Sequence, residues 1–380
     1  MEIAQRTRHP FHMYDAISEQ PQAFVRVLEK NGAAVDEFAT GVASRRRLFL
    51  VGIGTSYHAA RVGEHLVRAY GGGLDVRAIN SFDFALYGPD LAPEDCVVAI
   101  SHRGSKRYTA LALERARASG CRTALVTGEV GVTSGSKPLV APPTSEGTSA
   151  PPAGADAVFE TVAQERSSAH TVSYTGAISV LAYLAGRLGY YRTGSDPFPE
   201  AFLRNELPEA LRSALGTEDE VEARAREHVG RRRIWLIGGG PSAVTAEEIS
   251  LKIKETSYLQ AEGMPTETML HGPFQCVEAG DLFVLVAPAG AAQARTLEVA
   301  ELAAEIGGAC LLVGDRTAGS APQTAGILGV PEVPEPFSAL TCLLPLQLFS
   351  YHLALARGTN PDSFRAEDPR FARADVSGRL

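Results

Sequence analysis

Short, wholly apolar runs that end in glycine recur along this chain, and after each one the apolar residues shift to a spacing of three or four. Residues 48–51 (Leu-Phe-Leu-Val) end at Gly52 and Gly54 and lead into a helical pattern over 56–70, with a strand near 75–79. Residues 96–100 then read as a strand, 108–118 as a helix and 123–126 as a further strand. Uniformly apolar strands separated by helices predict βαβ crossovers and a mainly parallel sheet with helices on both faces. Ligands of such sheets sit at the carboxyl ends of the strands, where the turns after Val51 and Ile100 lie.

The whole pattern occurs twice. Leu48-Phe-Leu-Val-Gly-Ile-Gly54 matches Ile234-Trp-Leu-Ile-Gly-Gly-Gly240, and Asp95-Cys-Val-Val-Ala-Ile-Ser101 matches Asp281-Leu-Phe-Val-Leu-Val-Ala287. The spacing is constant: 238 and 52, 281 and 95, 290 and 104, and 314 and 128 all differ by 186. A gapless repeat of this length predicts two copies of one α/β unit. The reading gives an N-terminal helical arm over 1–35, a first domain over 36–205, a second over 206–345, and a C-terminal helix and tail over 346–380. Within it, residues 13–28 read as an amphipathic helix and 200–231 as a charged helical connector. Residues 340–355 read as one apolar helix, and 131–155, rich in Pro, Ser, Thr and Gly, as a surface insertion.

Composition narrows the class. The 380 residues are 45% hydrophobic and 21% charged, enough for two cores, and the net charge of -8 opposes a broad nucleic-acid surface. No apolar run of membrane-spanning length is evident and the N-terminus is polar, so a cytoplasmic protein with no membrane partner is expected. The five cysteines have neither CxxC spacing nor a neighbouring His at metal-ligand spacing, and read as small buried residues in a reducing compartment.

Because the fold is duplicated, each copy is a control for the other. Thr55 and Ser56 correspond to Pro241 and Ser242, and Ser101-His102-Arg103-Gly104 corresponds to Ala287-Pro288-Ala289-Gly290. The first copy therefore keeps polar groups at two strand ends that the second lacks. Hydroxyls and unpaired N–H groups at a helix N-terminus receive anions, which makes Gly54, Thr55, Ser56, Ser101, His102, Arg103, Gly104, Ser105 and Lys106 a candidate phosphate cradle. Arg103 offers a bidentate fork and Lys106 a point charge. Taken singly, Ser56 also reads as a helix cap, Lys106 as a solvated helix start and His102 as an ordinary loop histidine. In the second copy, Lys252 and Glu255 share a helix face at i, i+3, either as a surface ion pair or as chemistry. The segment Glu262–Pro273, with His271 before Gly-Pro, shows no counterpart at the same place in the first copy.

At these residues the chain resembles the double-SIS (sugar isomerase) proteins, especially the isomerase half of glucosamine-6-phosphate synthase and related sugar-phosphate deaminases and deglycases. The resemblance covers nearly the whole chain. It rests on Tyr14-Asp-Ala-Ile-Ser-Glu-Gln-Pro21, Gly54-Thr-Ser-Tyr-His58, Glu165 with Ala169-His-Thr171, Leu251-Lys-Ile-Lys-Glu-Thr-Ser-Tyr258, Leu270-His-Gly-Pro273 and Pro345-Leu-Gln-Leu-Phe-Ser-Tyr-His352. It implies two tandem doubly wound SIS domains and a phosphorylated sugar or aminosugar as ligand. It also implies a homodimer with shared active sites, His271 reaching into the neighbouring subunit. Thr55, Ser56 and Ser101 match phosphate or sugar contacts, as do Ser168 and Thr171. Glu255 matches the carboxylate that moves a proton between C1 and C2, His271 the ring-opening histidine, and Lys252 a cation near the enolate. Such a proton shift calls for no metal or organic cofactor.

Three departures shape the expected reaction. No glutamine-hydrolysing half or N-terminal Cys precedes the repeat, so ammonia release from glutamine is not expected. The family's S-Q-S-G-E/D-T loop is here Ser101-His-Arg-Gly-Ser-Lys106, and the tail from Asn360 to Leu380 contains no lysine. The reading is a deaminase or deglycase acting on a 6-phosphorylated aminosugar or ketose amine. An aminotransferase or isomerase fed by external ammonia or a separate glutaminase is the first alternative, and a non-catalytic sugar-phosphate sensor the second.

Overall fold

The computed structural model describes residues 6–129, 154–315 and 326–374. They fall into two compact units: Gln22–Glu165 with Val172–Arg204, and Asn205–Ala374 with Arg166–Thr171 and the chain up to Pro21. The insertion expected over 131–155 lies almost wholly outside the described residues.

Helix α1, His12–Val42, contributes to both units and is longer than the 13–28 helix expected, running on through Pro21. The first unit then alternates β1 (Arg47–Gly52), α2 (Thr55–Tyr70), β2 (Asp75–Asn80), α3 (Ser81–Tyr87), β3 (Asp95–Ile100), α4 (Arg107–Ala118), β4 (Arg122–Thr127), β5 (Ala157–Glu160) and α5 (Val172–Thr193). Its strands lie in the order β2-β1-β3-β4-β5 and every pair is parallel. Because β2 and β3 flank β1, the strand order reverses between β1 and β3, and the crevice where such sheets bind ligands opens at their carboxyl ends.

The other unit begins with α6 (Leu207–Leu215) and α7 (Glu218–Glu227). It continues through β6 (Ile234–Gly238), α8 (Pro241–Ser257), β7 (Ala261–Pro265), α9 (Thr266–Leu270), β8 (Leu282–Val286), α10 (Gln293–Glu305), β9 (Ala309–Gly314), β10 (Gly326–Gly329), α11 (Glu335–Thr341) and α12 (Leu343–Ala356). Its sheet, β10-β9-β8-β6-β7, repeats the first order, again wholly parallel. The fold is thus the α/β duplication that the sequence predicts. An Arg–Asp pair ties the base of each sheet: Arg47 binds Asp95 at 2.6 and 2.8 Å, and Arg233 binds Asp281 at 3.2 Å. The hydrogen bond to Arg47 holds the buried Asp95 carboxyl below its ordinary value.

Several expectations are corrected. The segment carrying His271 does have a counterpart, since β7–α9 stands where β2–α3 stands in the first copy, Asp75 and Ala261 being 186 positions apart. The pattern hid this because α9 is a single turn. The C-terminal apolar run is two helices with a break at Cys342, since Pro345 has no N–H to carry the hydrogen-bond ladder back to Thr341 and sits instead in the first turn of α12. The stretch Glu335–Ala356 is also long and apolar enough to cross a membrane, contrary to the reading that no such run exists. Of its apolar 18-residue window, 89% is buried inside the protein, which marks core helices that are apolar all round. Four cysteines are buried as expected, and burial pushes the Cys310 and Cys342 thiols up to about 11 and 12; Cys276 is exposed.

Candidate functional site

Both reversal points are built on the same glycine pair. A Cβ on Gly52 or on Gly238 would run into the backbone of Ser56 or Ser242, so only glycine lets the helix approach its strand this closely. The second glycine of each pair turns the chain through a conformation open only to glycine, φ 57° and ψ −130° at Gly54, φ 54° and ψ −128° at Gly240. Neither helix has a side-chain cap at this residue. Gly54 is the N-cap and Thr55 and Ser56 lie inside the first turn of α2, so Ser56 is not the capping residue.

The neighbouring turn follows β3. The Ser101 N–H continues the sheet to Val126 O at 2.9 Å, and the Gly104 N–H closes the turn on Ser101 O at 2.9 Å with Gly104 at φ 63°. The Ser101 side chain is buried, 3% exposed, and its hydroxyl has no hydrogen-bond partner. A buried hydroxyl without a partner is rare because it forfeits its hydration. Arg103 is exposed, Ser105 and Lys106 are half-buried, and Lys106 opens α4. Neither Arg103 nor Lys106 forms an ion pair among the described residues. Burial, and then the nearby Arg103 charge, lower the Lys106 proton affinity, as for a cation without a counterion.

His102 is inside the protein rather than on the crevice wall. Its Nε2 accepts from the Glu165 N–H at 3.2 Å, while its carbonyl accepts from Gly128 N–H and the Gln164 amide at 2.8 and 3.0 Å. Burial lowers its proton affinity and keeps the ring neutral, suited to that acceptor role. Glu165 in turn accepts from the Ser173 N–H at 2.9 Å. His102 thus braces Glu165 and the end of β4, a role that its motif position did not reveal.

In the other unit, α8 carries the charges. Lys252 Nζ lies 2.6 Å from Glu255 Oε2 and 3.4 Å from Glu248 Oε1; Lys252 and Glu248 are fully buried, and Glu255 is 20% exposed. This is not the surface ion pair left open by the spacing. Glu248 went unnoticed in the sequence, although the repeat could have flagged it: Val62, Leu66 and Ala69 occupy the places of Glu248, Lys252 and Glu255 in the first copy. The helix ends at Tyr258, in a left-handed conformation with φ 57°, and the Arg365 guanidinium lies 5.2 Å from its ring. His271 caps α9, 78% exposed, with Nε2 3.2 Å from Glu267. Ser168 and the buried Thr171 lie on an irregular segment tied to the tail, Ser168 N–H donating to Asp362 O at 3.0 Å. Among the described residues no cluster of His, Cys, Asp and Glu could hold a metal ion.

Comparison with known proteins gives two matches to the SIS domain, over residues 42–181 and 229–357. The glutamine–fructose-6-phosphate aminotransferase [isomerizing] of Pyrococcus horikoshii is 30% identical over 95% of this chain, which spans 58% of that relative's length. Among solved structures, the C-terminal domain of glucosamine-fructose-6-phosphate aminotransferase from Francisella tularensis superposes with a TM-score of 0.80 at 21% identity, covering 94% of this chain and 99% of that one. Glucosamine-6-phosphate deaminase from Thermotoga maritima gives 0.66 at 17% identity, covering 93% and 97%.

Proposed function

The chain belongs to the SIS domain family, and from that premise we propose that it is a phosphosugar isomerase-type enzyme that releases the amine from a 6-phosphorylated aminosugar or ketose amine. The observation that carries the reading is the α8 triad: a half-open carboxylate, Glu255, held at 2.6 Å by a buried ammonium where the sister helix is apolar. A buried ion pair is costly to build, and a folding role would not require it in one copy only.

The chemistry follows. With the sugar chain open, Glu255 takes the proton from the carbon bearing hydrogen next to the carbonyl and returns it to the neighbouring carbon. The amine carbon becomes an imine, water adds, and ammonia or the free amine departs. Glu255 ends as it began. Lys252 fixes the carboxylate and offsets negative charge on the enolate oxygen. Thr55, Ser56 and Ser101 receive the phosphate, and His271 serves ring opening in a neighbouring subunit of a cytoplasmic homodimer. The fully buried Thr171 and the half-buried Ser168 are supporting positions on the sugar side.

A panel of 6-phosphorylated aminosugars and fructosamines, read by release of ammonia or amine, tests the reading. Formation of glucosamine 6-phosphate from fructose 6-phosphate and ammonia, without amine release, would replace it by the aminotransferase reading that the Pyrococcus relative favours. Tight binding with no turnover on any member would leave a sensor.

A further inference from the structure

Helix α9 is a single turn, yet it is tied to α10 twice. In the interior, the Thr266 and Thr296 hydroxyls meet at 2.9 Å. On the surface, Glu267 divides its carboxylate: Oε1 accepts from Arg295 Nε on α10 at 2.6 Å, and Oε2 lies 3.2 Å from Nε2 of His271. Arg295 also binds Glu298 on its own helix. The His271 N–H closes the turn on Glu267 O at 3.1 Å, so one residue fixes both the backbone and the ring of the histidine. The hydrogen bond from Arg295 holds the Glu267 carboxyl below its ordinary range, and the group stays ionised. Among the described residues Nδ1 of His271 meets no partner.

The first copy shows how little the tie itself requires. At the same places, 186 positions earlier, Ser81 and Thr109 join α3 to α4 through buried hydroxyls 3.3 Å apart, and Ala85 stands for His271. A neutral contact is enough there. The second copy makes the same tie with a carboxylate and a guanidinium and extends it to an imidazole. Exposed ion pairs add little stability, so the charges find their use at the histidine.

We propose that Glu267 is a positioning residue for His271 in opening the sugar ring, and that Arg295 holds Glu267 to that task. The inference rests on the proposed amine-releasing function and on the part given there to His271. Glu267 Oε2 accepts from Nε2–H, which fixes the tautomer and leaves the lone pair on Nδ1 as the base. Nδ1 takes the proton of the anomeric hydroxyl and gives it to the ring oxygen as the bond from that oxygen to the anomeric carbon breaks. The carbonyl forms and His271 ends neutral. Between the two transfers the Glu267 charge stabilises the imidazolium. All three side chains belong to α9 and α10 of one chain, so the set accompanies His271 into a neighbouring subunit's site.

Two ketose amines separate this role from a structural one: 1-amino-1-deoxyfructose 6-phosphate, which closes its ring through the 5-hydroxyl, and the 5-deoxy analogue, which lacks that hydroxyl and stays open. The readout is the ratio of their turnover rates on the full chain. Glu267→Gln removes the charge and keeps the size, and it should lower the ratio of ring-forming to open ketose about 10- to 100-fold, a share of a general acid–base contribution. Arg295→Ala should lower the ratio by a smaller factor, and Arg295→Lys by less again, since a point charge replaces the fork. Equal losses on the two ketoses, or no loss on either, would overturn the inference and leave the amine-releasing function standing. No amine release from either ketose by the unmodified protein would overturn the inference together with the ketose amine as substrate. Thermal unfolding of each variant checks that these exposed substitutions leave the fold intact.

Discussion

Gly54 and Gly240 turn their chains through nearly the same angles, and both sheets share one strand order, yet the side chains around them have exchanged roles. The first unit has polar turns, and on α2 the apolar Val62, Leu66 and Ala69 stand where α8 carries its charges. The second has the charged α8, while the turn after β8 is filled by its own Glu335. Features common to both copies, the glycine pairs and the Arg–Asp ties, belong to folding. Features present in one copy, the Glu335 closure and the α8 charges among them, mark where the two have diverged. Duplication followed by divergence accounts for a shared backbone whose turns and helices carry different polar groups.

Four experiments press on this division. The largest effect is expected at α8, where Glu255→Gln should lower turnover by about 10²–10⁴ while ligand affinity changes only a few-fold, the usual size of a general-base contribution. Unchanged turnover in a folded variant would remove the proton-transfer role and the contrast with α2. His271→Ala should also be inactive. Mixed with Glu255→Gln under conditions where subunits demonstrably exchange, it should restore partial activity through heterodimers, and no recovery would end the shared-site reading.

The folding half of the comparison predicts a loss of stability without selectivity for ligand. Asp95→Asn leaves Arg47 without its partner in a largely buried setting and should destabilise by about 3 kcal/mol. Asp281→Asn, whose arginine is longer-bonded and more exposed, should cost about 1–2 kcal/mol. Because Asp95 is held below its ordinary 3.8 in the fold, its contribution is present above that pH and is lost as acid protonates the folded carboxyl. In a denaturant series from pH 7 down to pH 3, the wild type and Asp95→Asn should therefore keep a constant separation above about pH 5 and draw closer as the pH falls below 3.8. Curves that stay equally separated would show that the tie does not depend on that charge.

The smallest effect separates folding from binding at one atom. Ser101→Ala deletes a buried hydroxyl that has no partner, so stability should hold or rise slightly, by up to about 1 kcal/mol, while affinity for hexose 6-phosphates falls about tenfold. A loss of stability with unchanged affinity would give Ser101 a structural role instead.

The 186-residue repeat, the alternation of strand and helix and the two glycine turns were legible because they depend on local period and on glycine's backbone freedom, which a linear sequence records directly. The polar turns of the first copy were legible for the same reason, by subtraction from the second. Four-residue edge strands such as β5 and β10 are too short to leave a period, and single-turn α9 hid the counterpart of β2–α3. The partners of side chains were not legible at all. That His102 faces inward to brace Glu165, that Glu248 completes a buried triad with Lys252, and that Glu335 closes the turn at Ala291 are contacts whose outcome depends on which atoms the packing excludes from water. The sequence lists the charges; burial and distance decide which of them are spent inside the protein and which are left for a ligand.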